Sequence, residues 1–175
     1  AISTRWVWMF DQHFGIINWA LGSVGWHGIP WLTRPGWAMA ALIIMKIWKV
    51  TGYYAILLLA GLQNIPPSLL EAASIDGAGR LRVFLRITLP LLSPYVLFVV
   101  VIAVISAFQN FDQIYMMTRG GPAGSTTTII YYLYQYGFEF FEVGYASSVA
   151  LLLFVLLFAL TWLQFAVSRK WVHYG

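Results

Sequence analysis

The sequence has no cysteine, which excludes disulfides and thiolate metal centres. Charge is almost as scarce. Only 9% of the residues are Asp, Glu, Lys or Arg, against about a quarter in a soluble domain. The net charge of +4 is dispersed, with no run of basic residues, which speaks against a nucleic-acid partner. No Gly-x-x-x-x-Gly-Lys-Ser/Thr phosphate loop occurs, so this chain has no nucleotide cradle of its own. There is no His-Glu-x-x-His either, and His13, His27 and His173 stand far apart. No catalytic residue and no metal ligand set is read from the chain.

What is abundant is apolar. Hydrophobic residues make up 61% of the chain, aromatics 18%, with nine Trp and ten Tyr, and the mean hydropathy is +0.77. Such a surface prefers lipid to water, and aromatic rings of this number suit the two membrane–water boundaries. A helix that crosses a bilayer needs about 20 mostly apolar residues. Three stretches qualify: residues 37–62, 91–111 (apolar through Phe108) and 145–168. Helices are the expected form, because backbone groups in hydrocarbon must be bonded internally. Pro94 is placed in the first turn of the second span, where a missing N–H costs little. The fold class is therefore an all-α polytopic membrane bundle with three complete transmembrane helices.

The start of the chain reads as part of something longer. Ala1 is not an initiator Met, and residues 1–10 lack the length and cleavage pattern of a signal peptide. Residues 1–36 are expected to hold the end of a preceding span and an outer loop rich in Gly and Trp. Residues 63–90 form one loop, 112–144 an outer segment with an interfacial helix over 129–141, and 169–175 a tail. Loop 63–90 and the tail must share a side. Together they carry five Lys or Arg (Arg80, Arg82, Arg86, Arg169, Lys170), against three on the other side (Arg5, Arg34, Arg119). The positive-inside bias places the loop and the C-terminus in the cytoplasm.

Within that loop, Ser68 followed by Glu71 has the spacing of a capping box, with Pro66 and Pro67 just ahead. Gly77 supplies the positive φ that ends a helix. The spacing predicts a helix of two to three turns, too short to be stable alone and in need of a docking surface. Arg80, Arg82 and Arg86 read as headgroup and orientation charges.

The stretch Glu71-Ala72-Ala73, three residues, Gly77, nine residues, Ile87, one residue, Leu89-Pro90 resembles the signature loop of permease subunits in binding-protein-dependent ABC importers. Asp76-Gly77-Ala78 and Ile87-Thr88-Leu89-Pro90-Leu91 follow the carbohydrate-uptake branch, which includes maltose-type and glycerol-3-phosphate-type permeases. Trp48-Lys49, Phe111-Asp112-Gln113, Thr118-Arg119-Gly120-Gly121-Pro122 and Gly144-Tyr145-Ala146-Ser147 extend the likeness over nearly the whole chain.

The resemblance implies a type I importer permease in the inner (plasma) membrane of a prokaryote, of which this chain would be the C-terminal part. It implies a coupling helix around residues 71–77, with Glu71, Ala72, Ala73, Asp76, Gly77, Ala78, Ile87, Leu89 and Pro90 meeting an ATPase. Expected partners are two copies of a cytoplasmic ABC ATPase carrying ATP and Mg, a second related permease, and a periplasmic or lipid-anchored solute-binding protein. The implied solute is a sugar or sugar-like molecule, with glycerol-3-phosphate and oligosaccharides in range. A non-ABC membrane scaffold or small channel is the alternative. A membrane-embedded enzyme is disfavoured, since it would need clustered acids, bases or metal ligands and the spans hold only two Lys.

Those two, Lys46 and Lys49, share one helix face, and intramembrane cations usually face the bundle interior or a wet cavity. Tyr53 continues that face. By resemblance to the maltose-type permease, Lys46, Lys49, Tyr53, Ala103, Ser106, Ala107 and Asn110 match positions at or beside the sugar site. The side chains differ at most of them. Lys46, Lys49, Tyr53, Ser106 and Asn110 are the candidate solute path, and snorkelling with core pairing is the competing role. The pairs Ala103/Ala107 and Ala146/Ala150 have the spacing of close helix packing.

Overall fold

A computed structural model describes residues 2–169 and 171–172. Ala1, Lys170 and residues 173–175, and with them the tail's second cation and His173, lie outside the described residues. Among the described residues every regular element is helical: α1 (Ile2–Met9), α2 (Ile16–Ser23), α3 (Pro35–Gln63), α4 (Pro67–Ile75), α5 (Arg80–Val83), α6 (Leu89–Phe108), α7 (Asp112–Met117), α8 (Ile129–Tyr134) and α9 (Val143–Ser168). Three helices are long and apolar enough to cross a membrane: Pro35–Gln63, Arg80–Phe108 and Val143–Ser168. Only 6% of the apolar window of α9 is buried within the chain. Its side chains face outward, as a span's do and a core helix's do not.

The chain divides into two compact units, Ala1–Val50 with Ala107–Phe154, and Thr51–Ser106 with Val155–Gly175. The first is built on an aromatic core. Trp6, Phe10 and Trp31 are buried with Met45, Ile114, Met117 and Tyr131, and Phe10 stacks at 5.3 Å on Trp6 and at 5.2 Å on Trp31. Asn18, on α2, ties this corner together. Its amide nitrogen donates to Ile29 O at 2.9 Å and Gln12 O at 3.2 Å. Its amide oxygen accepts from Ile29 N and Trp31 Nε1, both at 3.0 Å. Ahead of α2, the Asp11 carboxylate accepts the Phe14 and His13 amides at 2.8 Å; these bonds, Phe14's first, hold its pKa below the ordinary carboxylate value. Residues 11–31 thus share an ordered polar scaffold, while Trp19 and Trp26 in the same stretch are exposed.

In the second unit, α3 and α6 approach closely at Gly61. A Cβ there would lie 2.5 Å from Tyr95 Cγ and 2.8 Å from Leu92 Cδ1. Asn64 Nδ2 donates to Tyr95 Oη at 2.8 Å, fixing the ring over the glycine.

The helix that carries the second span begins well before residue 91. It runs unbroken from Arg80 through a π turn, Phe84–Thr88, into α6, so Arg80, Arg82 and Arg86 sit on the helix itself. Pro90 does not break it, because the π turn just ahead redirects the ladder and Leu89 N donates to Phe84 O. Pro94 lies inside the helix, beyond the first turn. Its missing N–H leaves the Pro90 carbonyl unpaired by backbone, and the Ser93 hydroxyl donates to that carbonyl. Hydroxyls of this kind are how proline is accommodated inside spans.

Candidate functional site

The short loop helix α4 starts at Pro67, two residues earlier than a Ser68 cap requires. Pro66 is the N-cap, and no side chain caps the helix. Proline at the first helical position has its φ preset and no N–H to satisfy. Ser68 is thereby drawn into the first turn, where its hydroxyl no longer reaches the orphan amides. The expected capping box is absent, and Glu71 sits exposed mid-helix.

The C-terminal end is as the glycine foretells. Gly77 has φ +71, Ala78 N donates to Ala73 O at 3.0 Å, and Gly77 N to Ser74 O at 3.1 Å. These two bonds are a complete Schellman stop. Leu69, Leu70 and Ile75 remain exposed, as do Ala72 and Asp76. Between α4 and the start of the next helix lies a cleft of about 310 Å³, lined by Leu70, Ser74, Ala78, Arg80, Val83, Phe84 and Thr88. Ile87 and Pro90 are half-buried and Leu89 exposed on the π turn and the start of α6.

The first unit holds a second cleft of about 260 Å³. Met39, Leu42, Ile43, Lys46 and Ile47 of α3 form one wall, and Ala107, Asn110, Ile114, Thr126 and Thr128 the other. A periodicity of three to four residues brings the α3 residues to one face. Thr126 is fully buried; its Oγ1 lies 2.7 Å from both the Gly121 carbonyl and the Thr118 hydroxyl. Asn110 Oδ1 and Thr128 Oγ1 are buried and meet no hydrogen-bond partner among the described residues. Buried polar atoms are satisfied in more than nine cases in ten, roughly, so two orphans lining one cleft stand out.

Of the residues singled out in the sequence, Lys46 and Asn110 line this cleft. Ala107 does as well, and it is exposed there. Ala146, by contrast, is buried. Tyr53 and Ser106 are not in the cleft lining; Tyr53 is exposed on α3 and Ser106 half-buried on α6. Lys49 forms an ion pair, with Nζ 2.7 Å from Asp112 Oδ2. The sequence drew attention to Asp112 only as part of Phe111-Asp112-Gln113. The available signal was electrostatic: two lysines in a span call for a carboxylate, and Asp112 opens α7 directly after the second span. Thr126 and Thr128 carried no such signal.

Comparison with known proteins agrees with this architecture. Residues 2–173 match the family described as binding-protein-dependent transport system inner membrane component. The chain is 43% identical over 162 residues to the sulfoquinovosyl glycerol transport system permease protein SmoG of Agrobacterium fabrum, covering 93% of this chain and 53% of that one. It is 40% identical over 169 residues to the trehalose/maltose transport system permease protein MalF of Thermococcus litoralis, covering 96% and 57%. The chain thus spans about half the length of these relatives. Among solved structures, a bacterial ABC transporter involved in import of the acidic polysaccharide alginate superposes with a TM-score of 0.86 at 27% identity, over 97% of this chain and 59% of that one. Three membrane-spanning helices, the loop with its Gly77 stop and a family match over nearly every residue lead to one assignment: the chain belongs to the inner membrane components of binding-protein-dependent transport systems, with the type I permease fold.

Proposed function

We propose that this chain is part of the transmembrane subunit of an ATP-driven importer and that the cleft between α3 and the α6–α7 junction is a stretch of the route for a sugar or sugar-like solute. The observation that carries this reading is the pair of buried oxygens with no partner among the described residues, Asn110 Oδ1 and Thr128 Oγ1, beside Lys46 in an otherwise apolar wall. Hydroxyl groups of a passing carbohydrate are suited to both atoms. The similar proteins support the solute class: they are named for sulfoquinovosyl glycerol, trehalose or maltose, and alginate, carbohydrate in each case.

Coupling belongs to α4. In this reading the loop 63–90 is cytoplasmic and α4, with Leu69, Leu70 and Ile75 exposed around it, docks in an ATPase groove. The stop at Gly77 makes α4 a rigid stub, so force applied to it moves the helix that begins at Arg80 and does not merely fray the loop. Two ATPase copies with their ATP and Mg, a second permease and a solute-binding protein complete the assembly, the last supported by the family description.

The test uses the intact complex in proteoliposomes with its binding protein. Sugars or polyols should stimulate ATP hydrolysis, and Asn110→Leu should lower uptake. A cysteine introduced at Ser74 should cross-link to the ATPase. Failure of every carbohydrate to stimulate hydrolysis, together with unchanged uptake by Asn110→Leu, would overturn the solute route. Absence of the cross-link in an active complex would overturn the coupling role.

A further inference from the structure

The α3–α7 cleft carries charge of one sign. Its lining holds one ionisable residue, Lys46, and no carboxylate. The charged groups that act on Lys46 are Lys49 and Asp112, and Asp112 is 2.7 Å from Lys49 Nζ. Two cations against one carboxylate leave the site with a net charge of +1. That sum is set by the residues present and does not depend on what Lys46 itself bonds.

A net cation set among Met39, Leu42, Ile43 and Ile47 is costly in hydrocarbon unless an anion offsets it. The second ingredient is polar and neutral. Asn110 Oδ1 and Thr128 Oγ1 line the same cleft as buried oxygens with no partner among the described residues; the amide oxygen accepts and the hydroxyl both donates and accepts, a pair suited to the hydroxyls of a sugar or polyol. A ligand that meets both demands bears hydroxyls and an acidic group on one small frame.

Resting on the reading that solute passes here, we propose that the cleft selects an anionic carbohydrate, a sugar or polyol carrying one carboxylate, sulfonate or phosphate. Lys46 receives the acidic group, Asn110 Oδ1 accepts from a hydroxyl, and the Thr128 hydroxyl exchanges a hydrogen bond with another. Asp112 serves as a positioning residue: it engages Lys49 and leaves the surplus positive charge to the cleft at Lys46.

The experiment is a matched panel on the intact importer with its binding protein, reconstituted in phosphatidylcholine vesicles so that no anionic headgroup competes. Glucuronate, glucose 6-phosphate and 6-deoxy-6-sulfoglucose are compared with glucose, and glycerol 3-phosphate with glycerol. At least one acidic member should stimulate ATP hydrolysis and be taken up well above its neutral counterpart. Lys46→Gln should lower that uptake about tenfold or more, the loss of one charge-assisted hydrogen bond, and Lys46→Arg should restore most of it. Uptake of neutral sugars only, or acidic uptake unaltered by Lys46→Gln, overturns the anionic selection and leaves the carbohydrate route standing. Should no member of the panel stimulate hydrolysis and Asn110→Leu leave uptake intact, the solute route falls with it.

Discussion

Replacing Asn18 by leucine tests whether the outer corner is held by one amide. The substitution keeps the side chain's bulk and removes four hydrogen bonds of 2.9 to 3.2 Å. Asn18 and Trp31 are 8% and 7% exposed, so water has little access to the groups left behind. The two donors, Ile29 N–H and Trp31 Nε1–H, lose their only acceptor in this corner. An orphaned buried donor costs about 1–3 kcal/mol, which puts the loss for two at roughly 2–6 kcal/mol. Relaxation of the loop toward water lowers this to about 2–4 kcal/mol, the range of a broken buried network. The assay is a double-mutant cycle with Trp31→Phe, read by thermal melting of the purified importer and by protease cleavage rates in the outer loop. If Asn18 Oδ1 binds the indole N–H, Trp31→Phe should cost about 1 kcal/mol less in the Asn18→Leu background than alone. Strict additivity, or a cost of Asn18→Leu below about 0.5 kcal/mol, would refute the hub.

Four further outcomes are expected. Lys49 and Asp112, at 35% and 56% side-chain exposure, should show a coupling of about 0.2–1 kcal/mol in a cycle of Lys49→Met and Asp112→Asn; zero coupling would mean the two charges do not act on each other. Gly61→Ala should destabilise by about 1–3 kcal/mol through overpacking on Tyr95, measured by melting temperature, and Tyr95→Leu in the same chain should recover part of it. Ser93→Ala should cost about 1 kcal/mol by stranding the Pro90 carbonyl, whereas Ser93→Thr should not; equal losses in the two melts would count against the hydroxyl. Gly77→Val should cost about 1–2 kcal/mol and reduce solute-stimulated ATP hydrolysis, and a normal hydrolysis rate would separate the stop from coupling.

The spans were legible because lipid imposes a coarse rule: a long enough apolar run becomes a helix whatever its neighbours. Gly77 was legible for a related reason, since positive φ is a property of the residue itself. Finer local rules failed where two of them competed. Ser68 and Glu71 satisfy the capping-box spacing, yet Pro67 starts the helix first and removes the geometry the box needs. Pro90 and Pro94 suggested a helix beginning near residue 91, yet a π turn and one serine hydroxyl let it run from Arg80. The cleft was half legible. Lys46 and Asn110 declared themselves as polar residues in apolar runs, while Thr128 and Asp112 sit in loop-flanking positions where polar residues are ordinary. The Lys49–Asp112 pair joins residues 63 positions apart, and no local pattern reports such a distance. Asn18 was hidden in the same way: its bonds reach back to Asp11 and Gln12 and forward to Ile29 and Trp31.

The proline-marked stretch of α6 has a mechanical corollary. A helix resists flexing because each bend must stretch amide bonds on its convex side. At Pro90 and Pro94 those bonds were surrendered in advance, and the one freed oxygen is tethered by a hydroxyl that can swivel with it. The interval from Phe84 to Pro94 is therefore where this otherwise stiff rod yields most readily, so any tilt between its two ends concentrates there.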